Sequence, residues 1–213
     1  MNRVLMIRHG QSCANVEKFF AGHLNSPLTA LGVRQAELTA QYIFRHYQVD
    51  CVYASDLDRA YMTGKAVADL FGLPVTKEPC FREIYAGQWE GEPYESLPKR
   101  FSETYCVWLT DIGHAVCDGG ESVAILQNRV VEAMERICRN NPDKTIVVAT
   151  HATPIRTFQC HCEGKSLDCL KDVPWVSNAS VSSFLYENGV FKKEFVSYEA
   201  HLGQLTSVLP KNC

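Results

Sequence analysis

No apolar run in this chain approaches the ~18 residues that a membrane-spanning helix needs, so a membrane partner is not expected. Charge of one sign is also scarce in excess: 21 Lys and Arg stand against 24 Asp and Glu, a net of −3. No basic run offers a nucleic-acid footprint. Ten cysteines are present, yet none falls in a Cys-x-x-Cys pair. Cys160-His161-Cys162 with Cys169 resembles a metal cluster only on paper, because residues two apart on a helix point to different sides. Buried thiols are the better reading, and no metal is expected. The opening MNRVLMIRHG has an apolar stretch too short for a signal peptide and no cleavage pattern. A cytoplasmic chain with reduced thiols is therefore expected. There is no internal repeat and no low-complexity segment.

What remains is an ordinary globular composition, 46% hydrophobic and 21% charged over 213 residues. At ~150 residues per domain, this length gives one domain, 1–213. Val4-Leu5-Met6-Ile7 is a continuous apolar run, suited to a strand buried on both faces of a parallel sheet. A turn-rich loop follows, and Thr29 reads as a helix N-cap. Ala36, Ala40, Ile43, Phe44 and Tyr47 then form one apolar helical face. Cys51-Val52-Tyr53-Ala54 is a second short strand. Ser55, with Asp58 three residues on, reads as a capping box opening the next helix. Ala60, Thr63, Val67, Leu70 and Phe71 are its inner face, and Gly72 and Pro74 stop it. A further short strand starts at Pro74-Val75-Thr76.

The rhythm breaks over about 84–120, which is rich in aromatics and reads as an inserted cap. A long helix follows, with Val123, Leu126, Val130, Ala133, Met134 and Ile137 on one side. Thr145-Ile146-Val147-Val148-Ala149 is the clearest strand. Pro154 sits in the first turn of the helix after it. Asn188-Gly189 between two late strands is a hairpin signal. The expected fold class is α/β: a mostly parallel central sheet, helices on both faces, and the cap over the C-terminal strand ends.

Two strands end in histidine, at Arg8-His9-Gly10 and at Thr150-His151. In open α/β sheets, ligands bind beyond the carboxyl ends of the strands, where helix N-termini favour anions. Arg59, early in the helix after the second strand, can reach that crevice, and Glu83 ends a segment just before the cap. Each residue alone reads as structural; together they read as a site. Arginine matches phosphate oxygens with a planar fork. Neutral imidazole can carry a phosphoryl group. A glutamic acid can protonate a leaving oxygen and later deprotonate water. With arginines supplying the positive charge, no magnesium or other cofactor is required.

The sequence resembles the histidine phosphatase superfamily, of phosphoglycerate mutase-like fold, over essentially the whole chain. Six blocks in order carry the likeness. They are Arg8-His9-Gly10 after the first strand, residues 22–36, and Ser55-Asp56-Leu57-Asp58-Arg59-Ala60. Arg82-Glu83-Ile84 with Gly87-Gln88-Trp89-Glu90-Gly91 follows, then Gly119-Gly120-Glu121-Ser122 and Val148-Ala149-Thr150-His151. The resemblance implies roles. His9 attacks phosphorus; Arg8, Arg59 and His151 hold phosphoryl oxygens; Glu83 is the acid and then the base. Asn15 and the Ala152 N–H add phosphate contacts. Asn25, Ser12, Tyr85 and Ala152-Thr153-Pro154 depart from the family's usual residues.

The compact chain is similar to the family's small phosphatase branch. The implied activity is phosphomonoester hydrolysis of a small phosphorylated substrate through phosphohistidine, without metal. A mutase and a catalytically silent phospho-ligand-binding module are the alternatives, and a homodimer stays open. Tyr85, Tyr94, Phe101 and Tyr105 are expected to line the substrate pocket. Trp89, inside a family block, is expected to anchor the cap.

Overall fold

Strand β1 (Asn2–Arg8) lies at the middle of a six-stranded sheet and is almost wholly buried. It is followed by a short helix α1 (Cys13–Glu17) and by α2 (Ala30–His46). Strand β2 (Cys51–Ala54), helix α3 (Asp58–Phe71) and strand β3 (Val75–Lys77) come next. Short turns of 3-10 helix, α4 (Leu97–Arg100) and α5 (Ser102–Thr110) occupy the aromatic-rich segment. Helix α6 (Val123–Asn140), strand β4 (Thr145–Thr150), helix α7 (Ala152–Cys162) and the hairpin β5 (Val181–Glu187) and β6 (Val190–Tyr198) complete the chain. The computed structural model describes residues 1–207; residues 208–213, the end of the expected single domain, lie outside the described residues.

The strand order is β3-β2-β4-β1-β5-β6, with β3, β2, β4 and β1 parallel and β5 and β6 antiparallel. Alternation along the strands sorts the core. Leu5, Ile7, Val52 and Val147 face α2 and α3, with Ile43 and Val67 opposite. Val4, Met6, Ile146 and Val148 face the other way, against Leu126, Val130 and Met134 of α6 and Ile155 and Phe158 of α7. Each such fully buried aliphatic contributes about 1.5–3 kcal/mol. At the hairpin, Asn188 and Gly189 both take positive φ, 52° and 82°, as the tight primed turn demands.

Several local expectations need correction. Thr29 caps α2, its hydroxyl accepting from the Gly32 N–H, but Phe44 is 52% exposed and rests on Phe71 outside the core. Leu70 is likewise exposed. Ser55 does not cap α3: the N-cap is Leu57, and Ser55 is fully buried for a tertiary reason given below. Cys160 is buried with its Sγ at the Lys165 and Ser166 carbonyls, while His161 is exposed. Among the described residues, no helix is long and apolar enough to cross a membrane.

Candidate active site

Sheet register builds the site. Arg8 of β1 is the partner of Thr150 of β4, so the next residue on each strand, His9 and His151, emerges beside the other. Their ring centroids are 5.1 Å apart, and the His9 N–H bonds the Thr150 carbonyl at 2.9 Å. Strand β2 pairs on the far side of β4, with Ala54 opposite Ala149. Its next residue, Ser55, therefore reaches His151, with Oγ 2.9 Å from Nε2. That contact accounts for the burial of Ser55, two residues ahead of the Leu57 N-cap of α3. Just beyond β1, Gly10 meets Gly32 of α2 backbone to backbone. A Cβ on Gly10 would lie 2.3 Å from the Gly32 carbonyl oxygen, so the strand-end turn is pinned against that helix.

Hydrogen bonds fix where the His9 ring carries its proton. His9 Nδ1 is 2.7 Å from the Gly10 carbonyl. A carbonyl only accepts, so Nδ1 carries the proton and Nε2 the lone pair. Ser55 Oγ accepts from the Leu57 N–H and hydrogen-bonds His151 Nε2, so the second ring nitrogen of His151 is Nδ1. That atom is buried with no partner among the described residues. Burial, then the positive charges of Arg59 and Arg8, hold His9 well below the usual imidazole range. Burial, then Arg59, does the same to His151. Both rings are neutral near pH 7.

Arg59 is 1% exposed and donates to the carbonyls of Gly22 and Leu24, each at 2.8 Å. The loop between β1 and α2 thus aligns it. Burial pushes its pKa down to about 10, with Glu83 opposing, and it stays charged. Arg8 donates to the Val176 carbonyl at 2.6 Å. Glu83 Oε1 accepts from the Ile84 N–H at 2.8 Å, and Oε2 from the Thr153 N–H at 3.3 Å. Asn15 Oδ1 accepts from Ser12 N and from Asn178 Nδ2, so its NH₂ is the remaining donor end.

A cavity of about 70 Å³ joins these groups. Arg8, His9, Asn15, Arg59, Glu83, Tyr94 and Ala152 all line it. His151 sits behind His9, fully buried. Three sequence expectations are corrected. Phe101 and Tyr105 do not line the cavity. Tyr105 and Trp108, three residues apart, share one side of α5, Phe101 stands just before that helix, and Tyr105 packs edge-on to Trp89 at 5.3 Å in the core. Tyr85 is 44% exposed and leans on His23, because its neighbours Ile84 and Ala86 take the buried positions.

Phe20, Trp108 and Trp175 line the cavity instead; of the three, only the Trp108 spacing on α5 gave any signal. Two further residues have distant partners. Asn178 donates to the His9 carbonyl and to Asn15. Arg129 donates to the carbonyls of Cys80, Arg82 and Glu83 and pairs with Glu121, holding the segment that carries Glu83.

A neutral imidazole close to two guanidinium groups, with a carboxylate on the same small cavity, suits a substrate bearing a phosphoryl group. Comparison with known proteins places the chain. A model of the histidine phosphatase superfamily (branch 1) matches residues 4–198, and the chain belongs to that superfamily. Phosphoserine phosphatase 1 of Hydrogenobacter thermophilus is 32% identical over 167 residues, 78% of this chain and 79% of that protein. The adenosylcobalamin/alpha-ribazole phosphatase of Escherichia coli is 32% identical over 149 residues, 70% of this chain and 73% of that one. The solved structure of Bacillus stearothermophilus YhfR shares the fold, with TM-score 0.89 at 24% identity, over 95% of this chain and 100% of that chain. The protein is a phosphoric monoester hydrolase, a phosphatase acting on small phosphorylated compounds.

Proposed function

We propose that the hydrolysis runs through a phosphohistidine on His9 and needs no metal ion. The observation that carries this reading is the tautomer of His9: with Nδ1–H spent on the Gly10 carbonyl, Nε2 is a neutral nucleophile at the cavity. It attacks phosphorus. Arg8, Arg59, the Asn15 NH₂ and the Ala152 N–H at the start of α7 receive the phosphoryl oxygens. His151 Nδ1, without a partner among the described residues, donates to the phosphoryl group on the neighbouring His9 when it carries the proton. Two guanidinium groups supply the charge that metal ions supply in other phosphoryl-transfer sites. Glu83 is the general acid, and its longer bond, to Thr153 N at 3.3 Å, marks Oε2 as the oxygen that carries the proton. Glu83 then takes a proton from the water that attacks phosphohistidine.

The segment 84–120 acts as the cap of this reading, because Tyr94 and Trp108 come from it to the cavity wall. The test is rapid acid-free quenching with ³²P-labelled p-nitrophenyl phosphate in EDTA. An acid-labile, alkali-stable phosphopeptide containing His9 is expected, with no turnover by His9→Ala. Turnover that stops in EDTA, or that survives in His9→Ala, overturns the mechanism.

A further inference from the structure

Rings wall the cavity, and its cations are few. Among the described residues, Arg8 and Arg59 are the only cationic side chains lining it and Glu83 the only acid. Both arginines act electrostatically on His9, so a bound phosphoryl dianion takes up their charge. Phe20, Tyr94, Trp108 and Trp175 form the large apolar part of the wall. Three nearby arginines are paired with carboxylates. Arg82 donates twice to the Asp56 carboxylate, Arg129 pairs with Glu121 and Arg100 with Glu92. Arg156 does not line the cavity; it lies over the Trp175 ring, 3.9 Å from its centroid, donates to the Val173 and Leu170 carbonyls, and keeps Nη1 buried without a partner among the described residues.

We infer that the substrate is a small phosphomonoester whose leaving group carries no carboxylate, a neutral polyol or ring alcohol. This rests on the phosphatase reading above. A carboxylate on the leaving group would bring a further negative charge into a cavity that already holds the phosphoryl dianion and Glu83. It would lose its hydration without gaining a cation, which is the costly case for a buried charge. Aromatic faces, by contrast, gain from contact with C–H and ring groups. A site that offers no partner for a charged group rejects it strongly.

Matched substrates isolate the one feature. Glycerol 3-phosphate and 3-phosphoglycerate differ only in CH₂OH against COO⁻ at the far carbon. Phosphoethanolamine and O-phosphoserine differ by the carboxylate alone. Steady-state kcat/KM is measured for all four on the wild-type chain, with p-nitrophenyl phosphate beside them. The member of each pair that lacks the carboxylate should be favoured by about tenfold or more. Equal values, or a preference for either carboxylate, overturn the inference while leaving the phosphatase reading intact. Failure to release phosphate from p-nitrophenyl phosphate overturns the reading beneath.

Discussion

Asn178→Ala removes a side chain that never enters the cavity lining yet should weaken the phosphate site. Asn178 is 2% exposed. Its Nδ2 donates to the His9 carbonyl at 3.0 Å and to Asn15 Oδ1 at 3.2 Å. The neighbouring Ala179 holds a positive φ of 57°, and its N–H also reaches the His9 carbonyl, at 3.2 Å. Loss of Asn178 therefore leaves the His9 carbonyl bonded, whereas Asn15 loses one of the two donors that keep its NH₂ outward. The functional cost is then one neutral hydrogen bond, about 0.5–1.5 kcal/mol. That is roughly a 2- to 13-fold fall in kcat/KM. A double-mutant cycle in which p-nitrophenyl phosphate hydrolysis is followed for Asn178→Ala, Asn15→Ala and the pair decides the matter. If Asn178 works through Asn15, it costs almost nothing once Asn15 is gone. Equal losses in both backgrounds, in variants that melt as folded proteins, would refute the argument.

The histidines predict a pH dependence. His9 and His151 stay neutral in the folded chain, held down first by burial, while the unfolded chain protonates them at about pH 6.5. Below that pH the unfolded state binds protons that the folded state refuses. Stability therefore falls with falling pH, approaching about 1.4 kcal/mol per pH unit for each histidine. In urea titrations between about pH 6.5 and 5, His151→Gln should flatten the slope, and an unchanged slope counts against the burial argument. Glu83→Gln should slow alkyl phosphates by about 10²–10⁴ and p-nitrophenyl phosphate far less in single-turnover measurements; equal losses would deny Glu83 the acid's role. Arg129→Met should lower Tm and slow alkyl phosphates, because it frees the Glu83 segment and strands Glu121. Adding Glu121→Gln should recover part of the Tm, and no recovery would mean that the unpaired charge is not the cause.

What could be read from the sequence followed from how local its cause is. The β1 and β4 runs are apolar on both faces because both faces are covered, and a histidine after each strand is visible in one dimension. The hairpin was equally plain, since Asn188-Gly189 satisfies the positive φ values locally. Ser55 shows the opposite case. Its local pattern offers a capping box, but the β2–β4 register sets it against His151, 96 positions away, and the N-cap of α3 is Leu57. Asn178 finds Asn15 across 163 positions, and no window of sequence contains both.

The aromatics of the cap fall between these extremes. Tyr105 and Trp108 already show helical spacing, so their shared orientation was legible. Which of them ends at the cavity was not, because that depends on where Trp89 and Phe20 stand. Phe20 comes from the loop between β1 and α2, and its ring lies 5.6 Å from Trp89 and 5.4 Å from Trp108. The loop whose carbonyls accept from Arg59 thus also supplies the ring against which the cap packs. A change in the packing of Phe20 must therefore be felt at the cavity wall and, through residues 22–24, at the Arg59 guanidinium. On the proposed mechanism, leaving-group fit and phosphate binding are thus mechanically joined, although the residues assigned to them lie far apart in the chain.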